Sequence, residues 1–182
     1  MHEDVSKIIY SEDEIQAKIR ELGQALTRDY ADAARNEGLV LICVLRGAAT
    51  FMADLARAIE LPLEMDYMAV SSYGNSTKSS GRVRILKDLS SDIEGKHVVI
   101  AEDILDSGLT LMRLMEELQC RRPASLEVCT LLRKDREGQA PIKCRYTGFE
   151  VPDEFIVGYG LDYAERYRNL PYIGVLKPEV YS

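Results

Sequence analysis

The sequence predicts an α/β fold, with a central, mainly parallel sheet flanked by helices. Three observations carry that expectation. The run Leu39–Leu45 is continuously apolar, and residues 97–101 are of the same kind; such runs suit strands buried on both faces. Other segments repeat apolar residues at steps of three and four, the spacing of a helix. The two kinds alternate along the chain, and right-handed crossovers then place the helices on the faces of one sheet.

Ser11-Glu12-Asp13-Glu14 reads as a capping box, with Ser11 as N-cap and Glu14 reaching back. The helix it opens aligns Ile15, Ile19, Leu22, Leu26, Tyr30 and Ala33 in one stripe, which packing on the chain's own core explains better than a partner does. The strand at Leu39–Leu45 ends at Arg46-Gly47. A helix follows with Phe51, Met52, Leu55 and Ile59 on one side, then a strand over 63–71. From Ser71 to Gly81 the chain reads S-S-Y-G-N-S-T-K-S-S-G. Turn residues dominate and no core-forming pattern appears, so this is a loop. Residues 82–86 return as a strand. After the strand at 97–101, Asp106-Ser107-Gly108 makes a turn, and a helix covers 109–119. A strand follows at 126–132, and short strands occupy the last third near 143–149, 155–157 and 172–176.

Length and composition bound the function. The 182 residues suit a single domain, 1–182, with a real core. A formal charge of −7 argues against nucleic acid as a non-specific partner. No run reaches the roughly 18 apolar residues of a membrane helix. The acidic start Met1-His2-Glu3-Asp4 lacks the apolar region of a signal peptide. Cys43, Cys120, Cys129 and Cys144 form no C-x-x-C pair, which fits free thiols in a reducing cytoplasm. His2 and His97 are too far apart in sequence to suggest a zinc site.

Residues 98–110, V-V-I-A-E-D-I-L-D-S-G-L-T, carry the chemistry. An apolar strand ends in two adjacent carboxylates, Glu102 and Asp103. A third, Asp106, begins a tight turn, and Ser107, Gly108, Leu109 and Thr110 open a helix. Ligands of open α/β sheets sit outside the carboxyl ends of the strands. A glycine turn at a helix N-terminus offers free N–H groups and a positive dipole end, and Ser and Thr hydroxyls add donors; together they make a phosphate cradle. Gly108 lets the backbone approach the phosphate without a Cβ. Glu102 and Asp103 would repel phosphate, so they suit hydroxyl groups or a hydrated divalent metal. Phosphate beside vicinal hydroxyls describes a ribose 5-phosphate. The bland alternative is an acidic loop with Asp106 or Ser107 as an ordinary N-cap. Walker A, G-x-G-x-x-G and G-x-S-x-G patterns are all absent from this segment.

The segment resembles the PRPP-binding signature (PRPP is 5-phosphoribosyl-1-pyrophosphate) of the type I phosphoribosyltransferases, and E-D-I-L-D-S-G-L-T is similar to their hypoxanthine-guanine branch. L-R-G at 45–47, S-S-Y-G at 71–74, L-K-D-L from Leu86, L-L-R-K at 131–134, P-D-E-F-I-V-G-Y-G-L-D-Y at 152–163 and Y-R-N-L-P-Y-I-G from Tyr167 extend the likeness along nearly the whole chain. The resemblance implies the type I fold, with a small hood from the terminal segments. It implies purine salvage: transfer from PRPP to a 6-oxopurine base, releasing pyrophosphate, with Mg²⁺ as cofactor. Glu102 and Asp103 would hold the ribose hydroxyls directly or through Mg²⁺. The 5-phosphate would sit on residues 106–110, and Asp106 would take or share the proton at purine N7. Lys134 would donate to O6, Phe155 would stack on the base and Ile156 would contact it through its backbone. Arg46, Gly47 and Arg168 would meet pyrophosphate, and Asp162 would ligate a Mg²⁺ bound to it. A cis peptide is implied at Leu45–Arg46. Ser72 and Tyr73 would belong to a lid closing over pyrophosphate. A homodimer or homotetramer in the cytoplasm is implied as well. The choice among hypoxanthine, guanine and xanthine is left open. Similar RNA-binding regulators of pyrimidine genes share the PRPP segment, but they usually lack an Asp at the place of Asp106 and need a basic surface.

Overall fold

The computed structural model describes residues 2–72 and 83–181. The chain runs β1 (Val5–Tyr10), α1 (Glu12–Asp29), α2 (Ala33–Asn36), β2 (Leu39–Leu45), α3 (Ala49–Ala58), β3 (Glu64–Ser72), β4 (Val83–Lys87), β5 (His97–Leu105), α4 (Leu109–Gln119), β6 (Ser125–Lys134), β7 (Tyr146–Val151), β8 (Ile156–Val157), β9 (Ile173–Leu176) and α5 (Pro178–Tyr181).

The main sheet has the order β4-β3-β2-β5-β6-β7. Every neighbouring pair is parallel except β3 with β4. Period-two alternation divides its side chains between two layers. Leu39, Leu41, Cys43, Val99 and Ala101 pack with Ile15, Ile19, Leu22 and Leu26 of α1 and with Phe51, Met52 and Leu55 of α3. Val40, Ile42, Val98 and Ile100 pack on the other face with Leu111, Leu114 and Leu118 of α4. A strand buried on both faces is thus why Leu39–Leu45 has no polar position.

Helix α1 begins as its capping box requires. Ser11 Oγ accepts from the Glu14 N–H, and the Ser11 N–H donates to Glu14 Oε2 at 2.8 Å. Two differences from the sequence reading bear on the site. First, β5 does not stop at residue 101. Ladder pairs Glu102↔Thr130, Ile104↔Leu132 and Leu105↔Arg133 carry it on to Leu105, so Glu102 and Asp103 lie inside the strand. Second, Val5–Tyr10 is a strand, pairing antiparallel with β9, which in turn pairs with β8. This small sheet joins the two ends of the chain. The four cysteines are free: Cys43 and Cys129 are buried, Cys144 is half-buried and Cys120 is exposed. Burial pushes the Cys43 thiol up to about 12 and the Cys129 thiol higher still, so neither supplies a thiolate.

Candidate active site

The carboxyl end of β5 is the centre of the site. Neighbouring strand residues point to opposite faces, and Glu102 and Asp103 obey that rule. Glu102 lines a cleft of about 170 Å³ together with Asp106, Ser107, Gly108 and Thr110. Asp103 turns toward the 45–47 loop, where a Cβ on Gly47 would lie 1.7 Å from its Oδ2. That approach is why residue 47 has no side chain. Burial, and then the neighbouring Asp103, raises the Glu102 carboxyl well above the usual range. Burial likewise pushes Asp103 up to about 6, against hydrogen bonds from the backbone that lower it. One of these is the Ile104 N–H, at 2.8 Å from Asp103 Oδ1.

The turn after β5 is built as a cradle. Gly108 is the N-cap of α4, with φ +73° and no side-chain cap, so the N-cap reading of Asp106 or Ser107 does not hold. The first backbone bond onto Gly108 comes from the Met112 N–H, at 2.8 Å. The N–H groups of Leu109, Thr110 and Leu111 lie ahead of it, as at any helix start. Ser107 and Leu109 are exposed. The reason for glycine at 108 differs from the sequence reading. Its missing Cβ faces Ile142 and Leu105 at 3.1 Å and Ala140 at 3.2 Å, so the constraint is the left-handed backbone and an apolar wall.

A second loop, after β6, clamps onto this turn. Gln139 Nε2 donates to the Asp106 carbonyl at 2.6 Å and to the Lys134 carbonyl at 3.1 Å. The Ala140 N–H donates to the Ser107 carbonyl at 2.8 Å. The clamp brings Lys134 Nζ to 3.7 Å from Asp106 Oδ2 and 3.2 Å from Asp153 Oδ1. Arg136 Nη1 holds the other Asp106 oxygen at 2.5 Å. Arg136, Gln139 and Asp153 were missed in the sequence. They lie in loops, with no periodic pattern around them.

Phe155 lies just before β8 and is 37% exposed, whereas Ile156 is buried. The Phe155 ring stacks on Tyr181, with centroids 4.8 Å apart, and meets Tyr163 edge-on at 5.5 Å. Neither tyrosine had a signal in the sequence pointing to this place.

On the other face of the sheet, the 45–47 loop meets the segment after β8. The Leu45–Arg46 peptide is cis. The Gly47 carbonyl closes on Gly160, where a Cβ would lie 2.1 Å away. Arg168 Nη1 donates to the Gly160 carbonyl at 2.8 Å, and Nη2 pairs with Asp162 at 2.8 Å. Glu165, also missed in the sequence, pairs with Arg46 at 2.7 Å and with Arg168 at 3.3 Å. Ser72 is the last residue of β3, and Tyr73 lies outside the described residues.

Glu102 and Asp103 face opposite sides of the sheet, so each carboxylate is a separate candidate for a divalent cation. Glu102 Oε2 is sealed from solvent without a hydrogen-bond partner. Among the described residues no three His, Cys, Asp or Glu side chains converge on one metal position. Glu102, Asp103 and Asp162 are therefore not one ligand set. Mg²⁺ in phosphate-handling sites commonly takes only one or two carboxylates and leaves its other positions to phosphate and water.

Residues 6–164 match the model of the phosphoribosyl transferase domain. The chain is 56% identical over 182 residues to the hypoxanthine-guanine phosphoribosyltransferase of Bacillus subtilis, covering 100% of this chain and 99% of that one. A crystal structure of a hypoxanthine phosphoribosyltransferase from Staphylococcus aureus superposes with a TM-score of 0.94 at 51% identity, covering 100% of this chain and 97% of the other. A substituted form of the Trypanosoma cruzi hypoxanthine phosphoribosyltransferase, solved as a ternary substrates complex, gives 0.93 at 45% identity with both chains fully covered. The parallel sheet, the cradle at the end of β5 and these likenesses agree: the chain belongs to the hypoxanthine-guanine phosphoribosyltransferase family.

Proposed function

We propose that the enzyme transfers the 5-phosphoribosyl group of PRPP to hypoxanthine and guanine in purine salvage, with the roles of its residues as follows. The observation that carries this reading is the pairing of Lys134 and Asp106, 3.7 Å apart beside the phosphate cleft. O6 and N7 are adjacent on one edge of a 6-oxopurine. O6 accepts from a cation and N7 presents its proton to a carboxylate, so this pair reads that edge. Adenine offers an amino group where Lys134 needs an acceptor.

The 5-phosphate settles on the N–H groups and hydroxyls of residues 107–110. Glu102, opening on the same cleft, faces the ribose hydroxyls. The base stacks on Phe155 with O6 on Lys134. Asp106 accepts the N7 proton as N9 attacks C1 of the ribose, and the bond from C1 to pyrophosphate breaks. Arg46, Arg168 and the backbone at Gly47 receive the leaving charge; one preorganised donor of this kind contributes on the order of 3 kcal/mol. When bound, Mg²⁺ would supply charge neutralisation to PRPP and pyrophosphate; Glu102 would hold it on the cleft side, and Asp103 and Asp162 would hold it on the side of the 45–47 loop. Ser72 and Tyr73 belong to the lid that keeps water from the ribose during transfer. The family pattern points to a homodimer or homotetramer working in the cytoplasm.

Asp106→Asn tests the assignment. It keeps the shape and removes the proton acceptor. The expected result is a loss of kcat of about 10²- to 10⁴-fold with an unchanged melting temperature. Full turnover in that variant would remove Asp106 from the mechanism.

A further inference from the structure

The two arginines assigned to pyrophosphate already hold an anion, and it belongs to the protein. Arg46 Nη2 donates to Glu165 Oε1 at 2.7 Å, and Arg168 Nη2 donates to Glu165 Oε2 at 3.3 Å. One carboxylate thus bridges guanidinium groups from distant parts of the chain. The position of Glu165 is set by its loop. Its backbone is left-handed, with φ +66°, and its N–H donates to Asp162 Oδ2 at 3.0 Å. Asp162 in turn pairs with the same Arg168 nitrogen at 2.8 Å. Both arginines are therefore oriented before any ligand arrives.

A carboxylate offers a guanidinium the same paired oxygens as a phosphate does. Glu165 and pyrophosphate consequently compete for the same donors. With pyrophosphate in place, Glu165 and Asp162 would crowd it with like charge. Glu165 is more than half exposed, so it can swing into solvent as the ligand enters. Asp162 is less free: its side chain is 28% exposed, and it anchors the Glu165 N–H.

We infer that Glu165 is the internal stand-in for pyrophosphate: it holds Arg46 and Arg168 ready in the free enzyme, yields them to PRPP, and reclaims them as pyrophosphate leaves. It is a positioning residue that acts through the arginines, and the exchange swaps ion pairs without making or breaking a covalent bond. The inference rests on the reading of Arg46 and Arg168 as pyrophosphate donors.

Product inhibition by pyrophosphate tests it. Glu165→Gln keeps the shape and removes the charge. Each exposed ion pair is weak, so losing the competitor should tighten pyrophosphate inhibition and lower the KM for PRPP by about three- to tenfold. The KM for hypoxanthine is the internal reference and should move less than either. Glu165→Asp keeps the charge but is too short to span both arginines, and should fall between Gln and the parent. Pyrophosphate inhibition that is unchanged or weakened in Glu165→Gln would overturn the inference, as would equal shifts for base and pyrophosphate. Arg46→Ala and Arg168→Ala separate the two levels. If neither weakens pyrophosphate inhibition, the pyrophosphate reading itself fails. If both do while Glu165→Gln has no effect, only the stand-in role fails.

Discussion

Gly108 shows how tightly single residues are specified at this site. Its φ of +73° is one an L side chain adopts only at a cost of about 1–2 kcal/mol. An added Cβ would also press on Ile142, Leu105 and Ala140 at 3.1–3.2 Å. Gly108→Ala should lower stability by about 1–3 kcal/mol and raise the KM for PRPP more than the KM for the base, because the distorted backbone is the one proposed to hold the phosphate. Melting and steady-state kinetics on the purified variant check both halves. A variant with parental KM for PRPP would show that the turn at 108 does not hold the phosphate. At this scale the sequence was informative where a residue type is chemically unusual for its place: paired carboxylates on an apolar strand, glycine at a helix start. That Glu102 and Asp103 face opposite sides of the sheet follows from strand periodicity, but only once β5 is known to run past residue 101.

Among the elements, those with an apolar period were legible. Helix α4 has the same bounds in the structure as in the sequence reading, and β2 likewise. What stayed hidden depends on contacts distant in sequence. Strand β1 exists because Val5 pairs with Leu176, at the other end of the chain. β5 is extended by the ladder to β6. The loop from Asp135 to Ile142 has no pattern, yet it places Lys134 beside Asp106. Gln139 is its fastener, one side-chain amide nitrogen donating to the carbonyls of Leu105, Asp106 and Lys134. Gln139→Ala should strand those carbonyls, cost about 1–3 kcal/mol of stability and raise the KM for both substrates together. A rise confined to one substrate would mean that the loop does not couple the base side to the phosphate side.

Over the whole molecule, the sheet is held partly by one buried charge on β3, which makes that support depend on pH. Asp66 lies on β3 and is buried. Burial alone would raise its carboxyl. The N–H groups of Tyr67, Ser90 and Ser91, with Lys87 nearby, outweigh that and hold it below its ordinary 3.8. A depressed acid stabilises the fold fully above the unfolded value and loses that contribution as pH falls through the folded one. Asp66→Asn should therefore melt earlier than the parent at neutral pH, by about 2 kcal/mol, and the gap should close as pH falls below 3.8. A gap independent of pH would mean that the charge of Asp66 is not what its three donors stabilise.

In the proposed mechanism Lys134 and Asp106 read the base edge, so the most direct measurement is a substrate panel. Purified protein with PRPP and Mg²⁺ is offered hypoxanthine, guanine, xanthine, adenine and uracil, and nucleotide and pyrophosphate formation are followed. Turnover is expected with hypoxanthine and guanine and not with adenine or uracil. Turnover of adenine or uracil alone would contradict the assignment of Lys134 and Asp106 to the 6-oxopurine edge.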